Sequence, residues 1–216
     1  MINLENIKGA IFDLDGTLLD SMWKWQTMEA EYLKKFGIEP KPNIADILMP
    51  LNQQEVSEYL KSKYGIDKTI EVMSKEQNAL MEEFYFNDAG LKSGVVSLLE
   101  MLHLKGIKMC VATATERYLV EPTLVRLNIS KYFGKTFTCP DEKTTKTKPD
   151  IYIRAAQSLG TNIGQTIVFE DAFHAIKTAK AAGFIVAAVY DKSAEKHKEE
   201  IKQLADYYIE SIDALL

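Results

Sequence analysis

Ile7-Lys8-Gly9-Ala10-Ile11-Phe12-Asp13-Leu14-Asp15-Gly16-Thr17 opens as a short buried strand, Ile7 to Asp13, and ends in two carboxylates and a glycine. A compact apolar run of this length suits a strand covered on both faces. In an extended chain, residues two apart point the same way, so Asp13 and Asp15 emerge together where the strand stops. Gly16 then permits a sharp departure of the backbone. Two like charges held this close are unfavourable unless a cation or a shared proton offsets them, so the pair implies a metal or divergent pKa values. The plainer alternative is a turn in which the Asp side chains cap backbone amides.

Working outward, Ile107 to Thr113, Thr166 to Glu170 and Phe184 to Tyr190 read as further buried strands, with a closing strand near Asp206 to Ile209 and a short terminal helix. Helical patterns over Gly94 to Lys105, around Pro122 to Leu127, over Asp150 to Leu159 and over Ala172 to Ala182 alternate with them. That alternation is the signature of a parallel sheet covered by helices on both faces. Pro122 is expected in the first turn of its helix. Residues 17–88 break the pattern with amphipathic helices at Ser21 to Phe36, Ile44 to Met49, Gln53 to Tyr64 and Thr69 to Tyr85, broken at Gly37, Pro40, Pro42, Pro50 and Gly65. We therefore expect an α/β fold: a Rossmann-like, doubly wound parallel sheet in residues 1–16 and 89–216, with an inserted all-α cap domain in residues 17–88.

Composition narrows the class. The 216 residues are 46% hydrophobic and 26% charged, and the formal net charge is -5. A phosphate-backbone binder needs an excess of Lys and Arg, so nucleic acid is an unexpected partner. There is no basic N-terminal segment leading into an apolar stretch and no run of about 18 apolar residues, which argues against a membrane span. Only Cys110 and Cys139 are present, and neither a disulfide framework nor a zinc cluster is indicated. These features point to a cytoplasmic protein, expected as a monomer or weak homodimer.

Three further elements sit at strand ends. Thr113-Ala114-Thr115 precedes a helix, and a hydroxyl beside free helix N-terminal amides is what a phosphate needs; Thr115 is expected to cap that helix. The loop Cys139 to Lys148 offers Lys143, Lys146 and Lys148, any one of which would neutralise an anionic oxygen. Phe169-Glu170-Asp171 ends another buried strand and supplies hard oxygen ligands suited to magnesium, although the two acids would also serve as a helix cap. In a doubly wound sheet such strand ends converge on one crevice.

The string Ala10 to Ser21, AIFDLDGTLLDS, resembles the first motif of the haloacid dehalogenase superfamily, in particular its phosphatase and β-phosphoglucomutase-like branch with a helical cap. The resemblance implies Asp13 as nucleophile, Asp15 as general acid/base, and Thr113 with the Ala114 amide as the phosphate contact. It also aligns Pro149-Asp150-Ile151-Tyr152 with the end of the family's lysine motif, which makes Lys146 the catalytic lysine. Thr145 and Thr147 depart from that motif, and a shifted register would place Lys148 there instead. Glu170-Asp171 resembles the final acidic motif, with Ala172 and Ala175 in place of its serine and glycine. The implied Mg2+ ligands are Asp13, the backbone carbonyl of Asp15, Asp171 and Glu170.

The family reading implies a phosphatase that takes phosphate from a small phosphorylated metabolite through an aspartyl-phosphate. The alternative in the same branch is a β-phosphoglucomutase-like sugar phosphomutase, which must also hold a distal phosphate, preferably with an Arg fork. Residues 17–88 contain no arginine, because Arg117, Arg126 and Arg154 all lie elsewhere. Trp25 stands where the mutase has a cap histidine. With Met28, Tyr32 and Phe36 it forms an i, i+3, i+7, i+11 stripe, which reads as cap core, whereas the resemblance turns it toward the substrate; the latter is our expectation. A catalytically silent relative would have no reason to keep two adjacent buried charges. The three histidines have no ligand spacing.

Overall fold

The computed structural model describes residues 2–48 and 53–215. In chain order the elements are β1 (Gly9–Phe12), α1 (Met22–Lys34), α2 (Ile44–Leu48), α3 (Gln53–Tyr64), α4 (Ile70–Glu83), α5 (Val95–Leu104), β2 (Lys108–Thr113), α6 (Arg117–Arg126), β3 (Phe133–Thr138), α7 (Cys139–Glu142), α8 (Asp150–Leu159), β4 (Thr166–Glu170), α9 (Phe173–Ala181), β5 (Ile185–Val189), α10 (Lys198–Leu204) and β6 (Tyr207–Ile209). A π-helical turn, Phe84–Asp88, extends α4, and a 3-10 turn, Ile212–Leu215, closes the chain where a short helix was expected. Met49 and Pro50, the expected end of the second cap helix and its break, lie outside the described residues. The chain divides into two compact units, Met1–Met22 with Ala89–Leu216, and Trp23–Asp88.

The first unit carries a six-stranded, wholly parallel sheet of order β3-β2-β1-β4-β5-β6. Strand order reverses on either side of β1, and a doubly wound sheet opens its ligand crevice at such a switch point. Ala10, Ile11 and Phe12 of β1 are fully enclosed, as a central parallel strand requires. Phe12 lies in register with Phe169 of β4, and their rings stack with centroids 4.4 Å apart. Such a pair contributes about 0.5–1.5 kcal/mol beyond burial. Helix α8 buries Ile151, Tyr152, Ala155, Ala156 and Leu159, one stripe of a 3.6-residue period, and stops at Gly160, whose φ of 69° supplies the left-handed cap.

Beyond β1 the chain turns back on itself. Gly16 N–H donates to the Leu19 carbonyl at 3.0 Å, and Leu18–Asp20 pairs with the returning chain through Lys92 N–H to Leu18 O (2.9 Å) and Asp20 N–H to Gly90 O (3.0 Å). These bonds group residues 17–22 with the sheet unit.

Four further findings differ from the expectation. Strand β3, FGKTFT, pairs with β2 at the sheet edge; its Gly134 and Lys135 are exposed and dilute the apolar signal. Helix α10 is likewise additional. Pro122 lies in the interior of α6, six residues in, rather than in its first turn. There it costs the helix one backbone bond, while the Thr123 hydroxyl donates to the Leu119 carbonyl at 2.7 Å. Cys139, expected in a polar loop, is buried at the first position of α7; it and buried Cys110 are both free thiols.

The second unit is built from α1, after its first residue, through α4. Its core contains Tyr32, Leu33, Ile44, Leu48, Val56, Leu60, Ile66 and Met73. Thr69 caps α4, accepting the Val72 amide at 3.3 Å. Buried Ser57 bonds the Ser74 hydroxyl at 3.2 Å and accepts from the Gln77 amide at 3.4 Å. Among the described residues of both units, no helix is long and apolar enough to cross a membrane.

Candidate active site

Asp13 follows β1 directly, and its N–H continues the strand pairing by donating to Phe169 O at 3.0 Å. That bond sets the Asp13 carboxyl beside the end of β4, where Glu170 is the last strand residue and Asp171 the next. Oxygens of Asp13, Glu170 and Asp171 lie within 4.8 Å of one another, and all three residues are buried. Lys146, from the loop between α7 and α8, reaches into this cluster. Its ammonium donates to Asp13 Oδ1 and to Glu170 Oε2, the latter at 2.7 Å. Lys143 and Lys148 are exposed, so only Lys146 of the three candidates meets the acids.

Neighbouring side chains hold the cluster in place. Glu170 Oε2 also accepts from the Tyr152 hydroxyl at 3.1 Å, and Glu170 Oε1 accepts the Ala172 amide at 3.3 Å. Asp171 Oδ1 accepts from the Thr17 hydroxyl at 3.2 Å. Ala172, the N-cap residue of α9, offers no capping side chain, and its own amide is the one that Glu170 accepts. Gly16, at φ 82°, passes so near Asp171 that a Cβ there would lie 2.3 Å from Oδ2; no other residue type fits.

Three buried carboxyls face one ammonium, and the electrostatics follow from that count. Burial first, then the Glu170 charge, pushes Asp13 up to about 8, against the pull of Lys146. Burial and the charges of Glu170 and Asp13 likewise hold Asp171 well above the usual carboxylate range. For Lys146 burial acts downward, but Asp13 and Glu170 outweigh it and keep the ammonium charged. The surplus negative charge calls for protons or a cation. A closed set of hard carboxylate oxygens with its own neutralising lysine fits a divalent ion such as Mg2+, the group the acidic motif implies.

Asp15 is oriented differently. Its two carboxyl oxygens accept from the Ser21 hydroxyl at 2.7 Å and the Thr115 hydroxyl at 2.6 Å. Its side chain is not one of the three clustered acids. Thr113 ends β2, buried, and its oxygen accepts the Thr115 amide at 3.1 Å; Ala114 is exposed beside it. The structure thus brings Asp13, Asp15, Thr113, Lys146, Glu170 and Asp171 to the carboxyl ends of β1, β2 and β4 and the loop before α8.

Residues 10–189 match the family described as haloacid dehalogenase-like hydrolase. The chain belongs to that family. It is similar to the fructose-1-phosphate phosphatase YqaB of Escherichia coli (strain K12), 28% identical over 191 residues that cover 83% of this chain and 94% of that one. It is 26% identical over 180 residues to the phosphorylated carbohydrates phosphatase of Thermotoga maritima, covering 82% of each. In fold it is similar to the β-phosphoglucomutase of Clostridium difficile, with a TM-score of 0.74, 23% identity, and coverage of 97% of this chain and 93% of that one.

For this haloacid dehalogenase-like hydrolase the sequence left several neighbours of the site unassigned. Glu116, not Thr115, occupies the N-cap position of α6, and the Thr115 hydroxyl donates to Asp15. Thr17, Ser21 and Tyr152 all lie inside the quoted motif strings; Thr17 and Tyr152 find their partners, Asp171 and Glu170, at the end of β4, and Ser21 finds Asp15 within its own string, across the turn after β1. In the helical unit, half-buried Trp25 donates its indole N–H to the Tyr85 hydroxyl at 3.2 Å. Met28 and Tyr32 of its stripe are core residues, whereas Phe36 is partly exposed. Trp23 is exposed and meets Phe84 edge-on at 5.4 Å. His103 and His174 are exposed, and His197 stacks on Phe173 with centroids 4.6 Å apart.

Proposed function

We propose that the protein is a magnesium-dependent phosphatase that hydrolyses small phosphate monoesters through an aspartyl-phosphate on Asp13. The observation that carries this reading is the split between the two motif carboxylates: Asp13 is drawn into the Lys146–Glu170 pair, while Asp15 is held apart by Ser21 and Thr115. Two carboxyls in different settings are what a nucleophile and a proton carrier require.

In the first step one Asp13 oxygen attacks phosphorus, the bond from phosphorus to the leaving oxygen breaks, and Asp15 gives that oxygen its proton. In the second, water attacks the aspartyl-phosphate, Asp15 takes the water's proton, and the bond to Asp13 breaks to release inorganic phosphate. Thr113 and the Ala114 amide hold the phosphoryl oxygens, and Lys146 keeps a positive charge beside Asp13. Asp13, Asp171, Glu170 and the backbone carbonyl of Asp15 would hold Mg2+, whose positive charge would offset the surplus carboxylate and the phosphoryl oxygens. We take the helical unit as the substrate-selecting cap, and Trp25 as its contact with the organic part of the substrate. The lack of arginine in residues 17–88 supports water as the acceptor over a second sugar hydroxyl. The free thiols of Cys110 and Cys139 support a cytoplasmic setting.

The test is phosphate release from a panel of sugar, nucleoside and other small monophosphates, with Mg2+ and with a chelator. We expect release that needs Mg2+ and that Asp13→Asn abolishes. An Asp13→Asn variant as fast as the parent would remove the nucleophile from the scheme. Conversion of one sugar monophosphate to its isomer in the presence of a bisphosphate primer, without free phosphate, would make the protein a mutase.

A further inference from the structure

Thr115 is buried on the loop after β2, and its hydroxyl reaches across to the chain leaving β1. It donates to Asp15 Oδ2 at 2.6 Å, across a hundred residues of chain. Ser21 grips the other oxygen from the chain leaving β1. The Thr115 amide meanwhile donates to Thr113 Oγ1 at 3.1 Å. That bond fills one acceptor position on the Thr113 oxygen and leaves its own hydrogen to point elsewhere, toward an incoming anion.

We propose that Thr115 is a positioning residue: it fixes the Asp15 carboxyl for proton transfer and ties it to the phosphate-contacting Thr113 at the end of β2. The proposal rests on the reading of Asp15 as general acid/base. An aspartate carboxyl turns about two side-chain bonds, whereas an acid is effective only within hydrogen-bond reach of the oxygen it protonates. The β-branched Thr115 side chain is stiff about its first torsion, so it makes a fixed post for that carboxyl. A hydroxyl also suits both protonation states. It donates to the carboxylate, and its oxygen can accept once Asp15 carries the proton. A buried structural threonine would owe Asp15 nothing in particular, and this difference is measurable.

The experiment compares kcat/KM for two leaving groups in Thr115→Val, Thr115→Ser and Asp15→Asn. This constant reports the steps through the first phosphoryl transfer. p-Nitrophenolate departs without a proton, whereas an alkoxide from an alkyl or sugar phosphate needs one. We expect Thr115→Val to lower kcat/KM for the alkyl phosphate by about tenfold or more while p-nitrophenyl phosphate stays within about twofold. Thr115→Ser should restore most of the loss, and Asp15→Asn should show the same selectivity in larger measure. Equal losses on both substrates, or no loss on the alkyl phosphate, would overturn the role of Thr115. If Asp15→Asn itself fails to discriminate between the leaving groups, the acid/base assignment falls first, and the two failures are told apart.

Discussion

In the sheet unit four buried charged groups converge among neutral hydroxyls: Asp13, Lys146, Glu170 and Asp171 come from three separate stretches of chain. In the helical unit the deeply buried polar groups are neutral, Ser57 and Gln77, and the Lys68–Glu76 ion pair stays partly open to solvent. Glu29 is the exception, and burial pushes its carboxyl up. Burying like charges works against folding, and a core of Tyr32, Leu33, Leu60 and their neighbours works for it. One region therefore buries like charges at some cost to stability, and the other is an ordinary small core; on the proposed function the first carries the chemistry and the second selects the substrate.

That contrast can be broken experimentally. After Asp13→Asn, the largest expected effect is that of Lys146→Met, about 10²–10³-fold in kcat, because it removes the ammonium that pairs with Asp13 and Glu170. The loss should be similar for every substrate, as measured across the phosphate-release panel. Trp25→Ala should cost about tenfold in kcat/KM for the best natural substrate and much less for p-nitrophenyl phosphate. If Trp25→Ala slows all substrates alike, the division of labour between the units is wrong.

The smallest effect is on stability. Asp13 is raised in the folded state, so the folded protein binds more protons than the unfolded chain between the ordinary carboxylate value and about 8. Stability of the metal-free protein is therefore greatest at the acid end of that window and falls as pH rises through it. The melting temperature in chelator should be lower near about pH 8.5 than near about pH 6, and Mg2+ should close the gap by replacing the protons. A melting temperature indifferent to both pH and Mg2+ would remove the charge surplus from the account.

Much of the sheet was legible because its central strands are buried on both faces and read as plain apolar runs; Thr166 to Glu170 is an example. Edge strand β3 was not, since only its second half is buried and Gly134 and Lys135 interrupt it. Pro122 misled because a proline signals a helix start by local preference, while the packing of Leu119, Val120 and Leu124 carries α6 through it. Asp13, Asp15, Glu170 and Asp171 were legible as acids at strand ends. Lys146 was distinguishable from Lys143 and Lys148 only through the family motif, because a lysine-rich loop gives no local reason to bury one of its members.

The sequence by itself determined the parallel sheet, the helical insertion and the acids that end its strands, since these follow from residue periodicity and from charges placed next to apolar runs. Only the tertiary structure decided which lysine is buried against Asp13 and which hydroxyls hold Asp15. Hydrogen bonds such as Thr115 to Asp15 join residues distant in the chain, and they exist only once the strand order places β1 between β2 and β4.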